Sequence, residues 1–185
     1  MRIKISIGAI YRESIVDGIG VRTSIYAMGC SHQCYNCHNP QTWDINNGTL
    51  LTVQDIYDRV AYYSVLAETI IPTGITFTGG DPMYQAAGFS ELARLIKYDT
   101  KFDIWCYTGY TFEEIINSQD DKYNLLKNVD VLVDGRYIHE LRDISLDYRG
   151  SSNQRIIDVQ ESLKQNTIIQ ITDFRIRPKN KNKPA

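Results

Sequence analysis

Three of the four cysteines in this 185-residue chain fall within one short stretch, Cys30-Ser-His-Gln-Cys34-Tyr-Asn-Cys37. Thiolates at such spacing suit an iron-sulfur cluster or zinc, and only a loop turns all three sulfurs toward one centre. A 4Fe-4S cubane held by three cysteines keeps one iron open to an outside ligand, which suits catalysis better than plain electron transfer. Zinc is the alternative, with His32 or His38 completing a tetrahedron, but zinc ligands usually come as two separated pairs and no second pair follows. Cys34-Tyr-Asn-Cys37-His38 also matches the haem attachment motif, which would leave Cys30 without a role. Cys106 sits inside an apolar stretch and is expected to pack in the core.

A second constellation, Thr78-Gly79-Gly80-Asp81-Pro82, follows a β-rich run. Paired glycines let backbone approach a ligand closely, and Asp81 can accept hydrogen bonds from an ammonium group. At the carboxyl end of a strand, such a turn stands where α/β folds bind ligands.

The elements that must carry these motifs alternate. Ile3, Ile5 and Ile7 alternate with polar residues, and Val21 to Met28 is rich in β-branched and aromatic side chains, so both are read as strands. Thr52 and Asp55 open a predicted helix over 53–67 with a capping-box signal. Strands are then expected at 74–78, 102–108 and 129–134, with helices at 89–98 and 112–118 between them. Strand-helix alternation implies parallel strands joined by right-handed crossovers. A full eight-fold barrel takes about 250 residues, so the expected fold is an α/β, partial (open) β/α barrel of mostly parallel strands.

The composition, 43% hydrophobic and 23% charged, fits one domain, expected over 1–174. Residues 175–185 form a basic tail with Arg175, Arg177, Lys179, Lys181 and Lys183, read as solvated. The net charge of −2 and pI of 5.9 give no reason to expect nucleic acid or a membrane as partner. The N-terminus builds no signal-peptide core, so the expected location is cytoplasmic.

Taken together, the order C-x-x-x-C-x-x-C, then a strand ending in Gly-Gly-acid-Pro, resembles the radical S-adenosylmethionine enzymes, and within them the activases of anaerobic ribonucleoside-triphosphate reductases. The likeness also rests on Asp17-Gly-Ile-Gly-Val-Arg-Thr-Ser24, His38-Asn-Pro-Gln-Thr-Trp-Asp44, Tyr107-Thr-Gly-Tyr-Thr-Phe-Glu-Glu114, Val131-Leu-Val-Asp-Gly135 and Arg149-Gly-Ser-Ser-Asn-Gln-Arg-Ile-Ile157. It departs at Asp81, where the family usually has Glu, and at Ile19, where it has Pro.

The resemblance implies a 4Fe-4S cluster on Cys30, Cys34 and Cys37, with S-adenosyl-L-methionine on the open iron. Gly79, Gly80 and Asp81 would hold the methionine end, and Asn36 and Thr108 would line the cofactor site. No side chain beyond those holding the cofactors is expected to act in catalysis. The implied reaction is reductive cleavage to a 5'-deoxyadenosyl radical, which takes hydrogen from a glycine. The implied partners are the large catalytic subunit of the reductase, whose glycine-bearing loop enters near Cys30, Gly79 and Tyr107, and a one-electron donor such as flavodoxin. An activase of the pyruvate formate-lyase type and a noncatalytic iron-sulfur or zinc module are the alternatives. Trp43 is expected to shield the cysteine loop, and Arg149 to Arg155 to serve structure.

Overall fold

The computed structural model describes residues 3–65 and 72–174; the basic tail expected at 175–185 lies outside them. Seven strands form one mixed sheet: β1 (Lys4–Ser14), β2 (Arg22–Ala27), β3 (Thr49–Thr52), β4 (Gly74–Gly79), β5 (Asp103–Tyr107), β6 (Val131–Asp134) and β7 (Arg155–Asp158). Their order is β3-β1-β2-β4-β5-β6-β7. The central four, β2, β4, β5 and β6, are mutually parallel, while β1, β3 and β7 run antiparallel at the margins.

The described residues hold five α-helices: α1 (Val53–Val65), α2 (Ala86–Asp99), α3 (Phe112–Ser118), α4 (Asp121–Leu126) and, after the last strand, α5 (Val159–Gln165). Local chemistry fixes their starts. The Thr52 hydroxyl and the Asp55 carboxylate exchange hydrogen bonds with each other's backbone N–H, and Thr111 and Glu114 do the same before α3. These reciprocal pairs satisfy N–H groups that the first turn leaves without carbonyl partners. Asp158 caps α5 by accepting from the Glu161 amide.

From β2 through β4, β5 and β6 the strand order advances with the sequence, so right-handed crossovers put the intervening helices on the same face. On that face Ile25, Ile75, Phe77, Ile104, Cys106, Leu132 and Ile157 pack against Ile56, Phe89, Leu92, Ile96, Ile115 and Leu125 in the main core. Each such fully buried side chain contributes roughly 1.5–3 kcal/mol. Phe89, Leu92, Ala93 and Ile96 recur at three- and four-residue steps, which aligns them on the buried stripe of α2.

The opposite face carries a different population. Trp105, Val131, Val133 and Ile156 form a second cluster there, joined by Tyr107, Tyr148 and Phe174. Ser24, Thr76, Trp105 and Val131 stand in one cross-strand row. Alternation along the strands sends these residues away from the helices.

The sequence-based boundaries agree with the structure for β2, β4, β5 and α3. β1 runs to Ser14, well past the predicted alternation, because bulges at Ile7/Ala9 and Tyr11/Ser14 break its period without ending its pairing with β2. No helix of the described residues is long and apolar enough to cross a membrane.

Candidate functional site

Parallel strands align their carboxyl ends, so the segments leaving β2, β4, β5 and β6 meet at one edge of the sheet. The cysteine loop leaves β2 there. Its entry is fastened by backbone bonds from Gly29 N to Thr42 O (2.8 Å) and from Cys30 N to the carbonyl of Trp43 (3.0 Å). Gly29, Gln33 and Asn36 take φ values of +89°, +47° and +53°, so the loop reverses direction repeatedly rather than extending. The turn closes where Cys37 N donates to Cys34 O (3.1 Å).

All three loop cysteines are partly exposed, and each sulfur accepts backbone N–H groups. Cys30 receives those of His32 and Gln33, Cys34 that of Tyr137, and Cys37 that of Asn39 at 3.4 Å. Burial raises the Cys30 and Cys34 thiols above the ordinary cysteine value, while these amide bonds pull the other way. Amide donors stabilise thiolate over thiol, so the loop has the donor set that cluster ligation needs. Among the described residues, no three His, Cys, Asp or Glu side chains converge as ligands for a metal ion.

The Gly-Gly-Asp turn lies directly on this loop. Gly80 N donates to Ala27 O (2.8 Å) and Asp81 N to Gly29 O (2.9 Å). A Cβ on Gly79, which has φ +96°, would stand 2.7 Å from Ala27 O, and one on Gly80 would stand 2.6 Å from Gly29 O. The paired glycines therefore let the end of β4 press against the backbone entering the cysteine loop, where the sequence alone suggested close approach to a ligand.

Asp81 is buried and saturated by the protein itself. Its Oδ1 accepts from Met83 N (2.8 Å), capping the short turn Pro82–Gln85. Its Oδ2 accepts from His32 Nε2 (2.8 Å), Thr108 Oγ1 (3.0 Å) and Gly109 N (3.1 Å). One carboxylate thus ties the cysteine loop, the β4 turn and the segment after β5 together. Thr108 faces this hub, while Asn36 lies exposed on the loop between Cys34 and Cys37.

Comparison with known proteins identifies the family. A family model described as a 4Fe-4S single cluster domain matches residues 16–157. The anaerobic ribonucleoside-triphosphate reductase-activating protein of Vibrio cholerae serotype O1 is 39% identical over 150 residues, covering 79% of this chain and 93% of the relative. The protein of that name from Enterobacteria phage T4 is 37% identical over 80% of this chain and 90% of its own. The chain belongs to this activating-protein family. The crystal structure of QueE from Escherichia coli aligns at 15% identity with a TM-score of 0.45, over 58% of this chain and 53% of that one.

In this member of the activating-protein family, the loop between β6 and β7 forms the other wall. Besides the Tyr137 amide on Cys34, the Tyr137 ring lies 5.4 Å from that of His38, and His139 lies 5.6 Å from Tyr35. The segment Arg149 to Arg155 shapes that loop. Gln154 donates to Gly135 O (2.9 Å) and accepts from Gly150 N (2.9 Å) and Ser151 N, and Asn153 donates to Arg136 O (2.8 Å). Arg155 holds the buried Asp134 carboxylate at 3.0 and 2.5 Å. Gln154, Arg155 and the Asn153 amide thus bind backbone and carboxylates, while Arg149 Nε and Asn153 Oδ1 are buried without a hydrogen-bond partner.

Two contributors lay beyond the sequence reading. His32 had been weighed only as a metal ligand; its partner Asp81 is 49 residues away, and nothing local announces the pairing. Gln85 clamps Ser6 through both its amide atoms and donates to Met28 O (2.8 Å), fixing the residue before Gly29. No periodicity marks it out.

Proposed function

We propose that Cys30, Cys34 and Cys37 ligate a 4Fe-4S cluster with one open iron, and that the chain is a radical S-adenosylmethionine activase of the anaerobic ribonucleoside-triphosphate reductase. The observation that carries this reading is the seating of the Gly-Gly-Asp turn on the cysteine loop through Gly80 N, Asp81 N and the His32–Asp81 bond. Two motifs separated by over 40 residues form a single structure at the ligand-binding edge of the parallel strands. Membership in the activating-protein family supports the same assignment.

When bound, a one-electron-reduced cluster and S-adenosylmethionine would supply reductive cleavage of the sulfonium carbon–sulfur bond to methionine and a 5'-deoxyadenosyl radical, able to take hydrogen from the α-carbon of a glycine in the large reductase subunit. The chain's own residues position and shield. The backbone N–H groups of His32, Gln33, Asn39 and Tyr137 stabilise the ligating thiolates. Gly79, Gly80 and Asp81 would hold the methionine end, the two glycines letting their turn lie against the backbone that enters the cysteine loop; Asn36 and Thr108 would flank the site. With Asp81 already bound by four protein donors, the methionine ammonium would be left to backbone carbonyls.

The sheet curls around its helix-free face as part of an open barrel. The parallel run β2-β4-β5-β6, advancing with the sequence and carrying helices on one face, supports this, as does the apolar and aromatic character of the other. Within that hollow Tyr26 donates to Asp17 at 3.3 Å, and burial beside Asp17 pushes its phenol up to about 12. Tyr107 is raised in the same way. Both phenols stay protonated near neutral pH, and Tyr26, its one O–H given to Asp17, would serve an entering polypeptide only as an acceptor. The reductase's glycine-bearing loop closes the open side and excludes water. A small one-electron donor such as flavodoxin reduces the cluster, in the cytoplasm.

Anaerobic reconstitution followed by chemical reduction with S-adenosylmethionine tests this directly. The wild-type chain should yield 5'-deoxyadenosine and, with the reductase present, a glycyl radical visible by electron paramagnetic resonance. Serine at Cys30, Cys34 or Cys37 should abolish both signals, whereas Cys106→Ser should keep most of each. Purified oxygen-free protein holding zinc in place of iron and sulfide would end the assignment.

A further inference from the structure

His32 stands between two of the cysteines, yet its side chain turns away from them into the protein. The side chain is only 5% exposed. Its Nε2 donates to Asp81 Oδ2 at 2.8 Å, an oxygen that also accepts from Thr108 Oγ1 and Gly109 N. The ring packs edge-on to Tyr110 with centroids 4.6 Å apart. Gly109 passes so close that a Cβ there would meet His32 Cδ2 at 2.3 Å and Nε2 at 2.6 Å. The imidazole therefore sits in a slot cut to its shape, with one polar atom bonded and the ring faces filled.

On the reading of the site above, we infer that His32 is a positioning residue that pins the cluster-binding loop to the Asp81 hub, so that the open iron and the methionine-binding turn keep one fixed relation.

The reasoning is geometric. Cys30 is tied to the rest of the fold by its own amide on Trp43 O, and Cys34 by the Tyr137 amide on its sulfur. Between them the loop exposes Ser31 and Gln33, and His32 alone reaches inward. Its bond joins the segment that carries the sulfurs to the carboxylate of the turn that receives the methionine end. A ligand that chelates the open iron while resting on that turn needs both ends in register, since a displacement on the order of 1 Å is enough to spoil such an alignment. Groups behind the direct ligands commonly set affinity in this way, by about 10- to 100-fold.

The test uses reconstituted full-length protein and three measurements: iron and sulfide content, S-adenosylmethionine affinity by equilibrium dialysis, and the change in the reduced cluster's electron paramagnetic resonance on adding S-adenosylmethionine. His32→Ala should retain iron and sulfide but lose roughly 10-fold or more in affinity, with an altered resonance change. His32→Gln, whose amide reaches about as far as Nε2, should recover most of both. Gly109→Ala, which drives a methyl group into the ring, should reproduce the loss, yet in the His32→Ala background it should cost less than about 2-fold because nothing remains to be displaced.

Wild-type affinity and an unchanged resonance response in His32→Ala would overturn the inference. Loss of iron from both His32→Ala and His32→Gln would also overturn it, by making the residue part of cluster retention itself. If the wild-type control bound no cluster or no S-adenosylmethionine, the functional reading would fall and this inference with it, a result recognisable because the control itself fails.

Discussion

The two ends of the parallel strands are built on opposite plans. At the amino end Arg22 fills the helix-free side of the sheet, 1% exposed. Its guanidinium donates to Thr76 Oγ1 (2.7 Å), Ile19 O (3.1 Å), Ile75 O (2.7 Å) and both Asp103 Oδ2 (3.0 Å) and Asp103 O (3.1 Å), and it stacks 5.3 Å from the Trp105 ring. Gly18, at φ +133°, presses against the same two side chains. At the carboxyl end the polar hub of Asp81 is equally saturated, but the sulfurs around it stay partly exposed. One end spends a charge to close itself, and the other spends a charge to hold reactive groups open. A radical site needs both, because water must be kept from below while a substrate enters from above.

Removing the plug should have the largest effect on folding. Arg22→Met leaves Asp103 and three carbonyl or hydroxyl acceptors without their donor, at a cost of about 3 kcal/mol. Urea denaturation of the metal-free protein should show the midpoint falling accordingly, while the fraction that remains folded takes up iron normally. A shift corresponding to less than about 1 kcal/mol would mean that water replaces the guanidinium, and that the amino end is not sealed.

The contrast also separates what could be read from the chain from what could not. The amino-end plug left no trace beyond Arg22 itself, since its acceptors come from positions 19, 75, 76 and 103 and are joined only by the sheet register. The parallel core was legible because 74–78 and 102–108 are apolar runs bounded by turns. By contrast, β3 and β7 are four-residue strands at the margins, too short to impose a period, and their pairing is decided by neighbours. At the carboxyl end the cysteines and Gly79-Gly80 were visible as motifs because each is local in sequence. Asp81 was read as a free acceptor, and its donors from residues 32, 108 and 109 are tertiary. The sequence pattern marks the groups that do chemistry, whereas the groups that position them are specified by topology.

Cysteine substitutions sharpen the same contrast with a middling effect. Cys106 is fully buried among Ile104, Leu132 and the α2 stripe, and burial holds its thiol well above the ordinary value. Cys106→Ser places a hydroxyl in that apolar setting and should cost about 1–3 kcal/mol of stability. Cys34→Ser, in a partly exposed loop, should stay within about 0.5 kcal/mol in the metal-free protein. Cluster content should reverse the order, lost in the second variant and kept in the first. Equal destabilisation by the two in chelator-treated protein would show that the loop is part of the core.

The smallest effect is electrostatic and lies outside both ends, on α3. Arg155 donates to Glu113 at 3.0 and 2.7 Å, and these hydrogen bonds hold the Glu113 carboxyl below its ordinary value. A carboxyl depressed by folding stabilises the folded state above its unfolded value, near 4.5, and that contribution fades as pH falls through the folded value. Glu113 is 54% exposed at its side chain, so solvent screens the pair and the contribution is small. Glu113→Gln should therefore be slightly less stable than wild type near pH 7, with the difference shrinking as pH falls below the unfolded value and through the lower folded one. Arg155 keeps its bonds to Asp134 in that variant, so the buried wall of the site is left intact. A difference that persisted unchanged into acid would assign the stabilisation to packing of the Glu113 side chain in place of its charge.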